Sequence, residues 1–316
     1  MAAVTDGAIT WLLRSREPAI RGMTRRDLLG EAEPRDLQDV LNGRLVRGLL
    51  AGQQPDGGFG GRPYNKWTGA HWRLVSLVEL EIPPGERRAM GALDTVLDCW
   101  ANPRRLVRRP TTKSGLPLSD GSIEGNALAV ACRLGAARDE RTERLVDALL
   151  RWQWPDGGWN CDPRATGRRS SFHESLIPMW GLWEYAEATG NRPARQAANR
   201  TAELFLDHRI FRRLGSDEPI HPSVVKLHYP AYWHYDVLQA MHLLARMGKA
   251  RDKRARDALD LLVQRRLPDG RWRPGASWWS QPGSARAPEA VDWGRDGPSE
   301  MLTLNALRVL RAAGRL

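Results

Sequence analysis

Gln153-Trp154-Pro155-Asp156-Gly157-Gly158-Trp159 decides the fold, because the chain writes this phrase three times. The other copies are Gln53-Gln54-Pro55-Asp56-Gly57-Gly58-Phe59 and Arg266-Leu267-Pro268-Asp269-Gly270-Arg271-Trp272. From Asp56 to Asp156 to Asp269 the intervals are 100 and 113 residues. Apolar residues at helical spacing precede each copy: Leu41, Leu45, Leu49 and Leu50; Leu145, Ala148, Leu149 and Trp152; Leu259, Leu262 and Val263. Recurrence of this kind marks a helical repeat protein. Proline stops the helix by withholding a donor, and Asp-Gly supplies a tight turn with its positive-φ residue. The aspartates are therefore predicted to be turn acceptors rather than catalysts, and the aromatic to return and cover the seam.

Between the turns two kinds of helix are predicted to alternate. Segments 36–51, 88–101, 139–153, 193–208 and 252–266 carry charge along one face, as in Arg141, Glu143, Arg144 and Asp147. They read as outer, amphipathic helices. Segments 67–81, 122–135, 172–188, 232–247 and 299–313 are apolar nearly all round and read as inner helices, with Ala8 to Leu13 as a further short member. Runs 57–65, 103–121, 160–170, 214–230 and 273–298 are rich in Gly, Pro and Ser and read as loops, the last two long enough to serve a function. The pattern predicts an all-α chain, a single α/α toroid over residues 1–316 with five to six hairpins in an inner and an outer ring.

Composition narrows the function. Net charge is +11 in 316 residues, mostly from arginine, but the basic residues are scattered and no recognition-helix or zinc-finger pattern accompanies them. Nucleic acid is disfavoured as a partner. No apolar run is long enough to span a bilayer, and peripheral membrane contact stays open. Met1-Ala2-Ala3-Val4-Thr5-Asp6 lacks a secretory pattern, and Cys99, Cys132 and Cys161 form no pair, so a cytoplasmic protein is expected. Fourteen tryptophans against five tyrosines and four phenylalanines are the second anomaly. Indoles of the repeated turns read as staples between hairpins, and others as walls of a cavity.

Gln-x-x-Asp-Gly-Gly-Phe/Trp resembles the repeated turn of the terpenoid cyclase and protein prenyltransferase superfamily, whose members are α/α toroids. The resemblance runs through nearly the whole chain and is closest to squalene-cyclase-like, prenyltransferase-repeat proteins. It implies an enzyme acting on an isoprenoid or similar apolar substrate in a central cavity. The family's Asp-x-Asp-Asp and Asp-Asp-x-x-Asp motifs are absent. Prenyltransferase-like zinc ligands would fall on Cys161, Asp162 and His173, although the Asp-x-Cys order is not reproduced, and a divalent zinc or magnesium ion is the cofactor this implies.

In a toroid, polar residues at inner-helix starts face the cavity. Candidates for acid, base or donor roles are His173, Glu174, His234, Asp236, Tyr232, Tyr235 and Glu124, and Ser171-x-x-Glu174 also reads as a capping box. Trp67, His71, Trp72, His228, Trp233, Trp278, Trp279 and Trp293 are the candidate substrate contacts. The stretch His221 to Asp236, with three His and three Tyr, is the predicted wall of the site, and Arg168 and Arg169 are placed to meet a diphosphate. Two alternatives stay open: an (α/α) barrel acting on glycans, with tryptophan platforms and paired carboxylates, and a non-catalytic scaffold.

Overall fold

A computed structural model describes residues 2–107, 110–164, 169–275, 289–294 and 297–316. Among them lie α1 (Ala2–Leu13), α2 (Pro18–Thr24), α3 (Arg35–Gln38), α4 (Arg44–Leu50), α5 (Ala70–Glu79), α6 (Arg87–Trp100) and α7 (Pro103–Val107). There follow α8 (Gly121–Arg133), α9 (Glu140–Trp152), α10 (Phe172–Thr189), α11 (Arg192–Asp207), α12 (Val237–Arg246), α13 (Arg256–Gln264) and α14 (Glu300–Ala312). Extended pairing among the described residues is limited to isolated bridges, such as Trp159 with Ser171. The chain is all-α, as its sequence predicts.

The three turns share one backbone design. Gln54 N–H donates to Gly58 O at 2.8 Å, Trp154 N–H to Gly158 O at 2.8 Å, and Leu267 N–H to Arg271 O at 2.9 Å. Gly57, Gly157 and Gly270 hold φ of 85°, 97° and 85°, where a side chain is strained. Asp56 Oδ1 accepts from Gly58 N–H at 2.8 Å and Asp269 Oδ1 from Arg271 N–H at 3.1 Å. Asp156 goes further and takes both the amide and the hydroxyl of Ser170, at 2.7 and 2.6 Å. The aspartates are turn acceptors. Trp159 and Trp272 are fully buried, and their indole N–H groups donate to Leu149 O at 3.0 Å and Leu262 O at 2.8 Å in the helix just ended. These indoles anchor each turn to the helix that precedes it.

The described residues group into two compact units. The first comprises 1–51, 79–82 and 206–316. In it α12 packs on α14, which also meets α1 and α2, while α13 lies against α12. Arg26 of the π-helical turn Arg25–Leu29 forks onto Glu81 at 2.6 and 2.8 Å, and Arg308 of α14 bonds Asp27 through Nε at 2.7 Å. The second unit comprises 52–78 and 83–205. There α8 and α10 pack face to face along their length, both buried nearly all round, and α9 and α6 cover α8 with amphipathic faces.

Two helices are glycine-thinned where α8 meets α10. A Cβ on Gly125 would stand 2.5 Å from Pro178 N and 2.6 Å from Ile177 C; one on Gly181 would stand 2.6 Å from Gly125 O. Neither glycine needs a positive φ, so the requirement is space. Pro178 sits inside α10 and donates nothing to the carbonyl of Glu174 four residues earlier. Together these residues let the two backbones pack with no side chain between them at this point.

Several boundaries differ from expectation. The segment predicted as helix over 232–247 is helical only from Val237, because Asp236 caps that helix by accepting from Gln239 N–H at 2.9 Å. The expected loop 103–121 opens with α7, and the N-terminal helix runs from Ala2 rather than Ala8. Residues 18–50 form several short helices where one outer helix over 36–51 was expected. No helix of the described residues is long and apolar enough to cross a membrane.

Candidate functional site

The second unit gathers its titratable groups at the start of α10. Ser171 caps α10 by accepting from Glu174 N–H at 3.4 Å, so half of the expected capping box is present. The Glu174 carboxylate makes no return bond to the Ser171 amide among the described residues and instead reaches α8. Its Oε2 accepts from Ser122 N–H at 2.9 Å, and its Oε1 accepts from the Cys161 thiol at 3.5 Å. Ser122 N–H belongs to the first turn of α8, whose own cap residue Asp120 makes no side-chain bond to it. Glu174 therefore caps a neighbouring helix, the kind of donor a helix start leaves open.

That position sets its ionisation. Glu174 is only 7% exposed. Burial drives its pKa up from 4.5 to about 7, against the pull of Ser122 amide and hydroxyl, and the nearby Asp120 charge adds to the rise. Although Cys161 as a residue is exposed, desolvation at its sulfur, with Glu174 and Asp120 beside it, likewise pushes the thiol up to about 12, which suits the sulfur to donate to Glu174. Tyr64 lies within electrostatic reach of the same groups, and burial followed by Glu174, Asp120 and Cys161 pushes its hydroxyl up to about 12. Cys161 is exposed, and Tyr64, Asp120 and His173 are half-buried, which leaves the cluster a solvent-facing rim over a buried carboxyl.

Tyr64 joins this acid cluster to an aromatic one. Its ring lies 5.0 Å from Trp72, 5.6 Å from Trp100 and 5.9 Å from His71. Trp67 packs edge-on to Trp72 at 4.9 Å. His71 is 1% exposed, and neither ring nitrogen finds a hydrogen-bond partner among the described residues. Burial, helped by Arg105, holds its pKa down to about 3, so it is neutral. Arg105 stacks over Trp100 at 4.6 Å and bonds Glu124 Oε1 at 2.7 Å. Glu124 is thus half of a buried ion pair.

The predicted wall 221–236 lies in the first unit. His228 Nδ1 sits 2.6 Å from Asp236 Oδ2, which also accepts from His228 N–H at 3.0 Å. Asp236 is fully buried and holds His228 while capping α12. His234 stacks on Trp233 at 4.0 Å and meets His228 edge-on at 5.8 Å. Tyr229 donates to Glu79 at 3.0 Å and meets Trp293 edge-on at 5.1 Å; Tyr232 donates to Glu289 at 3.0 Å. Tyr235 does not fit its expected role, because its buried hydroxyl donates to the carbonyl of Ile210.

No group of three His, Cys, Asp or Glu side chains among the described residues is arranged to hold a metal ion. Cys161, Asp162 and His173 form no such set: the Cys161 thiol is turned to Glu174, and Asp162 is bonded by Arg164 through its amide at 2.9 Å and its guanidinium at 3.1 Å. Trp278, Trp279 and Arg168 lie outside the described residues. The groups that sequence reasoning missed are Tyr64, Trp100 and Arg105. Tyr64 is one of only five tyrosines and stands in a loop rich in glycine, which is the one signal that marked it.

No protein-family model and no characterised protein matches the sequence. Among solved structures, a protein from Actinoplanes is similar at 20% identity and a TM-score of 0.48, over 99% of each chain. A type II terpene cyclase from Scytonema is similar at 14% identity and a TM-score of 0.31, over 90% of this chain and 100% of that one. A variant of that cyclase in complex with geranylgeranyl dihydroxybenzoate, its substrate, is similar at 14% identity and a TM-score of 0.30, over 89% and 98%.

Proposed function

We propose that the chain is an enzyme that performs general acid–base catalysis on an oxygenated isoprenoid or a similarly apolar molecule, with Glu174 as the acid. The observation that carries this reading is a buried carboxyl whose pKa stands at about 7, beneath a rim that reaches solvent. A general acid works best when its pKa lies near the operating pH. The same value argues against protonation of a bare alkene, which demands a far stronger acid. Transfer to oxygen is within reach: an epoxide or allylic alcohol takes the proton of Glu174 as its C–O bond breaks, the oxygen staying as a hydroxyl or leaving as water, and the carbon left positive then loses a neighbouring proton to the Glu174 carboxylate, which restores the acid. Ser122 N–H and the Cys161 thiol would then steady that carboxylate until it recovers a proton. The half-buried Tyr64 ring is the aromatic group at this rim for any cationic centre that develops on carbon.

A glycan-acting barrel is less well supported, because Trp154, Trp159 and Trp272 are buried with their N–H groups on backbone carbonyls, at 2.7, 3.0 and 2.8 Å. They offer no platform for a sugar ring. The test is turnover of a panel of prenyl epoxides and prenyl alcohols, read by mass spectrometry, with the parent and Glu174→Gln side by side. The parent is expected to convert at least one member, with a pH–rate limb near 7, and the variant to lose about a hundredfold or more while remaining folded. A variant that turns over at the parental rate rules out Glu174 as the acid.

A further inference from the structure

The first unit carries a cleft of about 550 Å³ between the start of α13 and the end of α14, and its charge is one-sided. Arg251, Lys253, Arg256 and Arg315 line it, over a floor that includes the buried Ala250 and Leu259. The one carboxylate there, Asp252, is already bonded by Arg254, through the amide at 2.9 Å and the guanidinium at 2.8 Å. Two of the cations are fixed by their own bonds: Arg251 Nε donates to Ala312 O at 3.1 Å, and Arg315 to Asp260 at 2.6 Å. Lys253 and Arg256 are exposed and have no side-chain partner among the described residues.

Helix electrostatics does not account for those two. Lys253 and Arg256 stand at the N-terminal end of α13, where the helix dipole is positive and disfavours a cation. Asp252 caps the helical turn 253–255 that runs into α13, and Asp257 stands in the first turn of α13, but both carboxylates are already engaged, Asp252 by Arg254 at 2.8 Å and Asp257 by Arg212 at 2.9 Å. Positive side chains gathered at a positive helix end raise each other's energy unless an anion joins them. A single carboxylate would leave most of this charge uncompensated. A phosphate or diphosphate group carries enough charge and enough oxygens to bridge cations on both walls of the cleft.

We propose that this cleft binds a phosphate-bearing ligand through Lys253 and Arg256, with Arg251 and Arg315 flanking. The proposal concerns the first unit alone and does not depend on Glu174. Its test is calorimetric titration of the intact chain with inorganic diphosphate at constant ionic strength in chloride, together with sedimentation on vesicles containing phosphatidic acid. The paired variant Lys253→Ala, Arg256→Ala is compared with a control pair, Lys113→Ala, Arg87→Ala, that removes the same charge elsewhere. Diphosphate binding weakened tenfold or more by the first pair and little by the control supports the site with a soluble ligand. Binding to vesicles alone, lost in the same pair, supports it with a lipid headgroup as source. Equal weakening by both pairs, or no binding of either probe, overturns it.

Discussion

Replacing Glu174 with glutamine is expected to make the protein more stable at alkaline pH by about 3 kcal/mol, and to leave it unchanged near pH 4. The folded carboxyl has its pKa raised from 4.5 to about 7. A raised carboxylate pKa means that the folded chain holds a proton which the unfolded chain releases between those values. Stability is then full below pH 4.5 and falls as pH rises through 7, by about 1.4 kcal/mol for each tenfold separation of the two constants. Glutamine keeps an acceptor for Ser122 N–H and never ionises, so it escapes this penalty. Denaturant midpoints for the two proteins from pH 4 to pH 9 check the point. Curves that run parallel across the range would mean that Glu174 ionises in the ordinary carboxylate range and has no proton to give at neutral pH.

Gly125→Ala is expected to cost about 3 kcal/mol, although alanine is the better helix former by about 1 kcal/mol. Its Cβ would stand 2.5 Å from Pro178 N, 2.6 Å from Ile177 C and 2.8 Å from Ile177 O, all backbone that cannot rotate away. Gly7 in α1 supplies the contrast, since a Cβ there meets nothing within 4 Å. Gly7→Ala should gain up to about 1 kcal/mol. Urea unfolding of both variants measures the difference in sign. If Gly125→Ala also stabilises, α8 and α10 do not approach as described.

The two expectations are connected through one contact. Glycines at 121 and 125 let α8 come close enough for Ser122 N–H to meet the Glu174 carboxylate, and the same closeness excludes water from it. A Cβ on Gly121 would stand 2.8 Å from the Glu174 carbonyl oxygen. An α8 pushed outward would hydrate Glu174 and return its pKa toward 4.5.

Much of this was legible in the sequence, and the parts that were not have physical causes. The Pro-Asp-Gly turns and their buried tryptophans are local features, decided within a few residues, and they stand as the repeated phrase predicts. Helix identity followed the apolar period, so α9 and α10 fall where their patterns lie. Glu174 was readable as a candidate, but its partner was not: Ser122 lies 52 residues away, and a capping box spanning the four residues from Ser171 to Glu174 is the nearer explanation for the same pattern. The stretch 221–236 shows the same limit. Its polar tips suggest chemistry, yet Asp236 caps α12 and holds His228, and Tyr235 is bonded to a carbonyl 25 residues back. Pairings across such distances depend on which helices touch, and periodicity does not say which.

Direct titration of the Glu174 carboxyl is the measurement closest to the central claim. Carbon-13 chemical shifts of labelled glutamate side chains, followed from pH 4 to pH 9 and assigned with Glu174→Gln, report it. A midpoint near 7 is the expected result. A midpoint near 4.5 contradicts the account, because the group proposed as acid would then be a spent carboxylate at neutral pH.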